Sequence, residues 1–354
     1  MQKNKSLFTE LLMQWNKQEN VRHMPWKGEK DAYKIWLSEI ILQQTRVEQG
    51  WAYYEKFIKH YPTIKDLANA EDTAVFKLWE GLGYYNRCKN LLFSARYIAN
   101  ELGGKFPEKY EAVLALKGVG EYTAAAVCSF AYNQPYAVVD GNVFRVLSRF
   151  YGITIPIDST EGKKEFTVLA NDVLDKAHAG AYNQAIMDFG ATVCKPANPA
   201  CLHCVLKVFC SAHKQGMANM LPVKEKVLQK KTRYFTWFVL QVKEEIFIHQ
   251  RTAKDIWQNL YDFYSIETNE KPVWTNMSVE GQLQNMLEVL PEKIIVSNPQ
   301  NQQLTHQLIK GQFILAHLKQ KPAVLKRGLW INIKLLSTVA FPKLLREYID
   351  AQFC

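Results

Sequence analysis

Apolar residues recur every three to four positions through Ser6–Lys17, Tyr33–Phe57, Thr73–Trp79, Arg87–Glu101, Tyr122–Tyr132, Val143–Tyr151, Lys163–Ala177 and Asn183–Ala191. That period is the mark of helices with one buried face. Short segments of Gly, Pro and Asn separate them, so the first part of the chain, to about residue 213, reads as mostly helical. Beyond a basic stretch, Leu221–Arg233, the period changes. Phe235–Val242 and Ile246–Gln250 alternate around Lys243-Glu244-Glu245, which predicts a hairpin. A helix over Ser278–Leu290, further strands and a last helix near Leu344–Ala351 complete a smaller α/β region. The pattern therefore predicts a mostly α domain over 1–220, a linker over 221–233 and an α/β domain over 234–354.

Composition narrows the class. At 354 residues and 48% hydrophobic, the chain has ample material for two cores. A formal charge of +10 favours a polyanionic partner, most plausibly nucleic acid, over a merely soluble basic protein. No apolar run of membrane-spanning length and no apolar leader is present, which points to a cytoplasmic protein.

Four of the seven cysteines, Cys194, Cys201, Cys204 and Cys210, stand in a C-x₆-C-x₂-C-x₅-C array. Zinc, an iron–sulfur cluster and disulfides are the candidates. Structural zinc usually takes two short arms, and only one C-x₂-C arm exists. Cys₄ ligation of a [4Fe–4S] cluster fits the spacing better. The other three, Cys88, Cys128 and Cys354, are scattered, as in a reducing compartment.

Two further motifs carry chemistry. Leu116-Lys117-Gly118-Val119-Gly120 joins two helical patterns. Gly118 and Gly120 permit close approach of another backbone, and the following helix aims its free N–H groups at the turn, as a phosphate site requires. An ordinary αα-hairpin is the other reading. Val138-Val139-Asp140-Gly141-Asn142 then delivers Asp140 to a helix start. There it serves as a cap, or as a fixed carboxylate able to stabilise a sugar cation.

The hairpin, then the aspartate, then the cysteine array resemble the helix-hairpin-helix DNA glycosylase superfamily in its iron–sulfur branch. Two positions decide the group. Endonuclease III enzymes carry a nucleophilic lysine two residues after the last hairpin glycine, where this chain has Tyr122. Trp36-Leu37-Ser38-Glu39-Ile40-Ile41-Leu42-Gln43-Gln44-Thr45 matches the W-L-S-E-x-x-L-Q-Q-T motif of the MutY group. The resemblance implies a monofunctional glycosylase, not a lyase, acting on adenine opposite 8-oxoguanine or guanine in duplex DNA, and needing no second copy of itself.

By the same resemblance Glu39 is the acid, at the margin of a face formed by Trp36, Leu37, Ile40 and Ile41. From the pattern alone it reads rather as an exposed helical glutamate, and the motif reverses that. To protonate adenine its pKa must rise by about two units, which burial can supply. Asp140 stabilises the cation at C1′, by charge or by transient attachment, with Tyr122 and Asn142 orienting it and the water. Trp26 and Gln184 line the adenine pocket. Gln44, one turn beyond Glu39, and Tyr84 in Gly81-Leu82-Gly83-Tyr84-Tyr85 wedge into the stack; Tyr84 reads also as a packed aromatic. Lys195, in the loop held by the cysteines, meets a phosphate. The C-terminal domain resembles Nudix hydrolases through Asp255–Phe263, without a Nudix glutamate array. The family's usual lesion-reading triplet, F-S-H, is here Leu304-Thr305-His306, where Thr305 and His306 keep the polar groups and the aromatic is lost. The rivals are an endonuclease III-like pyrimidine glycosylase, a non-catalytic helix-hairpin-helix DNA-binding protein and a ferredoxin-like electron carrier.

Overall fold

In a computed structural model the protein is described over residues 2–225 and 230–353. Residues 226–229, within the expected linker, and Cys354 lie outside the described residues. The chain groups into two units, Met1–Asn69 with Lys89–Lys226, and Ala70–Cys88 with Val227–Cys354.

The helices run α1 (Gln2–Gln18), α2 (Ala32–Leu42), α3 (Val47–His60), α4 (Ile64–Asn69), α5 (Asp72–Trp79), α6 (Asn86–Glu101), α7 (Tyr110–Leu114), α8 (Glu121–Tyr132), α9 (Gly141–Tyr151), α10 (Thr160–Asp172) and α11 (Ala179–Thr192). The single helix expected over Tyr33–Phe57 is two. It breaks after Leu42, where Gln44 takes a left-handed conformation (φ 56°) and ends the hydrogen-bond ladder. Lys163–Ala177 likewise ends early: α10 stops at Asp172, and a separate 3₁₀ turn capped by Asp175 follows.

The core of the first unit joins α1, α9, α10 and α11 through Phe8, Leu12, Trp15, Val143, Leu147, Phe150, Phe166 and Phe189. Helix α2 packs on α8. It is buried on almost every side from Ala32 to Ile41, so it lies inside the unit and does not expose a polar face. Helix α8 admits that neighbour because Ala124, Ala125 and Ala126 present little bulk there.

In the second unit, strand β1 (Lys231–Val242) is central. It pairs in parallel with Gln307–His317 and antiparallel with Tyr264–Thr268 and Glu245–Gln250. The tight turn at Lys243 (φ 52°) closes the expected hairpin with Val242 opposite Glu245. Phe235 to Leu240 are all buried because both faces of the sheet are covered. Phe238 and Leu240 meet Val279, Leu283 and Leu287 of a helix over Asn276–Leu287. On the other side Trp237 stacks on Phe313, and Phe313 on Tyr348 of the last helix, Lys343–Phe353.

Arg233 was placed in the linker by sequence. It belongs instead to β1, and its guanidinium is gripped by Asp255 and Glu267. Among the described residues no helix is long and apolar enough to cross a membrane.

Candidate active site

The site is built by α8, α9, α11 and the buried α2. Glu39 sits on α2 with 5% of its surface exposed, not at an open margin. Its carboxyl group hydrogen-bonds the Tyr122 phenol on the facing helix. Burial pushes its pKa up to about 7, the negative charge of Asp140 adds to the rise, and the Tyr122 bond opposes it. Burial likewise raises the Tyr122 phenol well above its ordinary value, so it stays protonated and able to donate.

Asp140 caps α9. Its Oδ1 accepts the backbone N–H of Asn142 and of Val143, each at 2.8 Å, and its Oδ2 accepts the Asn142 side-chain amide at 2.7 Å. Burial raises its pKa, while those donors and the Arg145 guanidinium pull it down; burial prevails. Arg145 holds Asn142 in turn, donating to its Oδ1 at 2.8 Å. A Cβ on Gly190 would stand 2.6 Å from the Asn142 Cβ, so the absent side chain lets α11 come against this corner.

Glu39 opens on a cavity of about 250 Å³ that Trp26, Lys27, Ser38, Phe130 and Gln184 also line. The volume is near the lower end of small-molecule sites. Trp26 packs edge-on to Tyr54, and the Gln184 amide donates to Asp188. The structure thus brings Glu39, Trp26 and Gln184 to one cavity, joins Glu39 to Tyr122, and joins Asp140 to Asn142.

The hairpin lies between α7 and α8. Gly118 has φ 81°, a conformation costly for other residues, and a Cβ there would stand 2.8 Å from the Asn90 Cβ. Gly120 caps α8 without a side-chain partner for the helix N–H groups, and both glycines are exposed. Gln44 is exposed but stands in the turn after α2, not on a continued helix. Tyr84 is also left-handed (φ 49°) and 38% exposed. In the second unit its hydroxyl donates to the Thr305 Oγ1 at 2.6 Å. Leu304, Thr305 and His306 form the turn between Gln300–Gln303 and Gln307–His317, with Thr305 and His306 exposed.

The expected iron–sulfur cluster requires correction. Cys194, Cys201, Cys204 and Cys210 border one small cavity of about 30 Å³ and are unpaired as disulfides. Yet among the described residues no group of three or more His, Cys, Asp or Glu side chains is disposed to hold a metal ion. The chain is therefore not placed in an iron–sulfur branch. The loop bearing the exposed Lys195 is held by protein instead. Arg149, itself buried, donates to the Lys195 carbonyl at 2.7 Å and the Pro196 carbonyl at 3.0 Å.

Three charged residues of the site escaped the sequence reading: Arg145, Arg149 and Asp188, all buried. In α9 Arg145 and Arg149 share the polar side of the helix with Asn142, away from Val143, Val146, Leu147 and Phe150, so the pattern reads them as solvated; Asp188 lies one turn from Gln184.

Comparison with known proteins agrees with this geometry. Residues 37–170 match the HhH-GPD superfamily of base excision DNA repair proteins, and residues 236–351 match the NUDIX domain. An adenine DNA glycosylase of Buchnera aphidicola (from Schizaphis graminum) is 30% identical over 97% of this chain and 98% of its own length. The chain belongs to the adenine DNA glycosylases. The adenine DNA glycosylase of Rattus norvegicus is 41% identical, over 61% of this chain and 44% of its own. Among solved structures, a thermostable thymine-DNA glycosylase superposes with a TM-score of 0.56 at 29% identity, covering 60% of this chain and 98% of its own. An endonuclease III–DNA complex, at 20% identity and a TM-score of 0.52, shares the fold. A glycosylase working in base excision repair hydrolyses an N-glycosyl bond, and the mostly α helix-hairpin-helix region is the part that binds DNA.

Proposed function

We propose that this adenine glycosylase removes adenine from A:8-oxoguanine and A:G pairs, with Glu39 as general acid and Asp140 as the anion beneath the sugar. The observation that carries the reading is a carboxyl group, buried and raised to about 7, hydrogen-bonded to Tyr122 and facing a cavity of purine size. A general acid works best with a pKa near the working pH.

Adenine leaves the stack and enters the cavity against Trp26 and Gln184. Glu39 gives its proton to N7. The C1′–N9 bond breaks, its electron pair passes to the purine, and neutral adenine departs. The positive charge left on the sugar is met by Asp140, whose orientation the N–H groups of Asn142 and Val143 hold fixed before the reaction. Water adds at C1′ and its proton passes to the Glu39 carboxylate, which restores the acid and leaves an abasic site. The two acids divide the work because burial and the Asp140 charge keep the proton on Glu39: a neutral Glu39 lets Asp140 carry the charge. With Tyr122 in place of a lysine there is no amine to form a Schiff base, so the strand stays intact.

Gly118, Gly120 and Lys195 meet phosphates, Gln44 and Tyr84 fill the vacated stack, and Thr305 and His306 read the opposite base. The division of labour follows the domains: excision in 1–220 and lesion reading in 234–354. One copy of the chain suffices, in the cytoplasm. The test is single-turnover treatment of duplexes bearing A:8-oxoguanine, A:G or an oxidised pyrimidine, resolved with and without alkali. Adenine loss with strand breaks only after alkali supports the reading. Release of a pyrimidine, or breaks without alkali as fast as base loss, contradicts it.

A further inference from the structure

Asp188 has no surface exposed, and it lies on α11 one turn from Gln184. Four donors converge on it at 2.9 Å: Asn20 Nδ2 and Lys27 Nζ on Oδ2, and Arg22 Nη1 and Gln184 Nε2 on Oδ1. Lys27 also donates to the Arg22 carbonyl, and the Arg22 N–H donates to Asn20 Oδ1. One carboxylate thus ties the segment carrying Trp26 to the helix carrying Gln184. Lys27 and Gln184 line the cavity, whereas Asp188 lies behind them.

A carboxylate in ion pairs accepts hydrogen bonds only. It therefore takes the N–H₂ end of the Gln184 amide and leaves Oε1 as the end free to accept. We infer that Asp188 is a positioning residue that sets the Gln184 amide so that the pocket selects a purine bearing an amine at C6. This rests on the adenine-excision reading above. Adenine presents a donor at C6, and hypoxanthine presents a carbonyl there that meets the Gln184 Oε1 oxygen against oxygen. N7, where Glu39 delivers its proton, is the same in both bases. The ratio of their release rates therefore isolates the C6 contact from the chemistry. An asparagine at 188 both donates and accepts, which frees the Gln184 amide to reverse.

The experiment measures single-turnover release of adenine and of hypoxanthine, each opposite 8-oxoguanine in otherwise identical duplexes. The wild-type protein is expected to favour adenine by ~100-fold or more, the discrimination typical of a site built to bond one polar group. Asp188→Asn is expected to lose at least ~10-fold of that ratio. An unchanged ratio, even with a slower adenine rate, reduces Asp188 to a packing role and overturns the inference. Should Asp188→Asn fail to fold, Gln184→Leu decides. It keeps the Arg22 and Lys27 pairs, and it must lower the same ratio. Equal release of both bases by the wild type overturns this inference alone, whereas release of neither overturns the excision reading with it.

Discussion

Each unit of the protein buries a carboxyl group, and the two are treated differently. In the second unit Asp262 is fully buried, but Arg251 and Ser265 donate to it, and Arg251 also pairs with Asp255. In the first unit Glu39 has a neutral phenol as its hydrogen-bond partner, and the charge acting on it is another anion, Asp140. A cation beside a buried acid favours its ionised form and joins elements together. A buried acid facing a phenol and an anion keeps its proton and can give it away. Burial raises both pKa values; beside Asp262 the Arg251 guanidinium pulls the other way, whereas beside Glu39 the Asp140 charge adds to the rise.

The largest expected effect sharpens that contrast. Glu39→Gln keeps shape and hydrogen bonding but carries no transferable proton, so single-turnover adenine release should fall by ~10³-fold or more, with mismatch binding retained in a gel-shift titration. Release at the wild-type rate would remove Glu39 from the chemistry. In the second unit Asp262→Ala leaves the half-buried Arg251 paired only with Asp255 and should cost about 2 kcal/mol of stability in urea unfolding, with excision by the folded fraction unchanged.

Stability against pH gives the next contrast. Between the ordinary glutamate value and about 7 the folded chain holds a proton on Glu39 that the unfolded chain releases. The stabilisation tied to that proton is complete below the unfolded value and is lost as pH rises through 7. Glu39→Gln removes the dependence, and at pH 8 the variant should be more stable than wild type by about 1–2 kcal/mol, after allowing for a weaker bond to Tyr122. A variant less stable at pH 8 would mean that Glu39 is ionised in the folded chain.

The smallest effect concerns Tyr84. Thr305→Val removes the acceptor of the Tyr84 hydroxyl and should lower the preference for 8-oxoguanine over guanine opposite adenine by about fivefold, the worth of one exposed-side hydrogen bond. An unchanged preference would separate Tyr84 from lesion reading.

Much of this was legible in the sequence because it is local. The period of the apolar residues located the helices, Asp140 announced the start of α9, and Gly118 stood where only glycine is comfortable. What depended on distant partners was not legible. The break at Gln44 is set by packing between α2 and α3, since nothing in Gln43-Gln44-Thr45 forbids a helix. Glu39 read as marginal because one helix's pattern shows its own face and not the burial that α8 adds. Arg233 read as a linker charge because Asp255 and Glu267 lie far along the chain. The cysteine array misled for the same reason: spacing along the chain does not fix how side chains meet in space.

Glu39 carries a proton near neutral pH because it is buried, with a phenol and an anion as its neighbours. Titration of the Glu39 side-chain carboxyl by carbon-13 NMR, assigned by its loss in Glu39→Gln, tests this most directly. A midpoint near 7 is expected. A midpoint at or below the ordinary glutamate value, about 4.3, would contradict it.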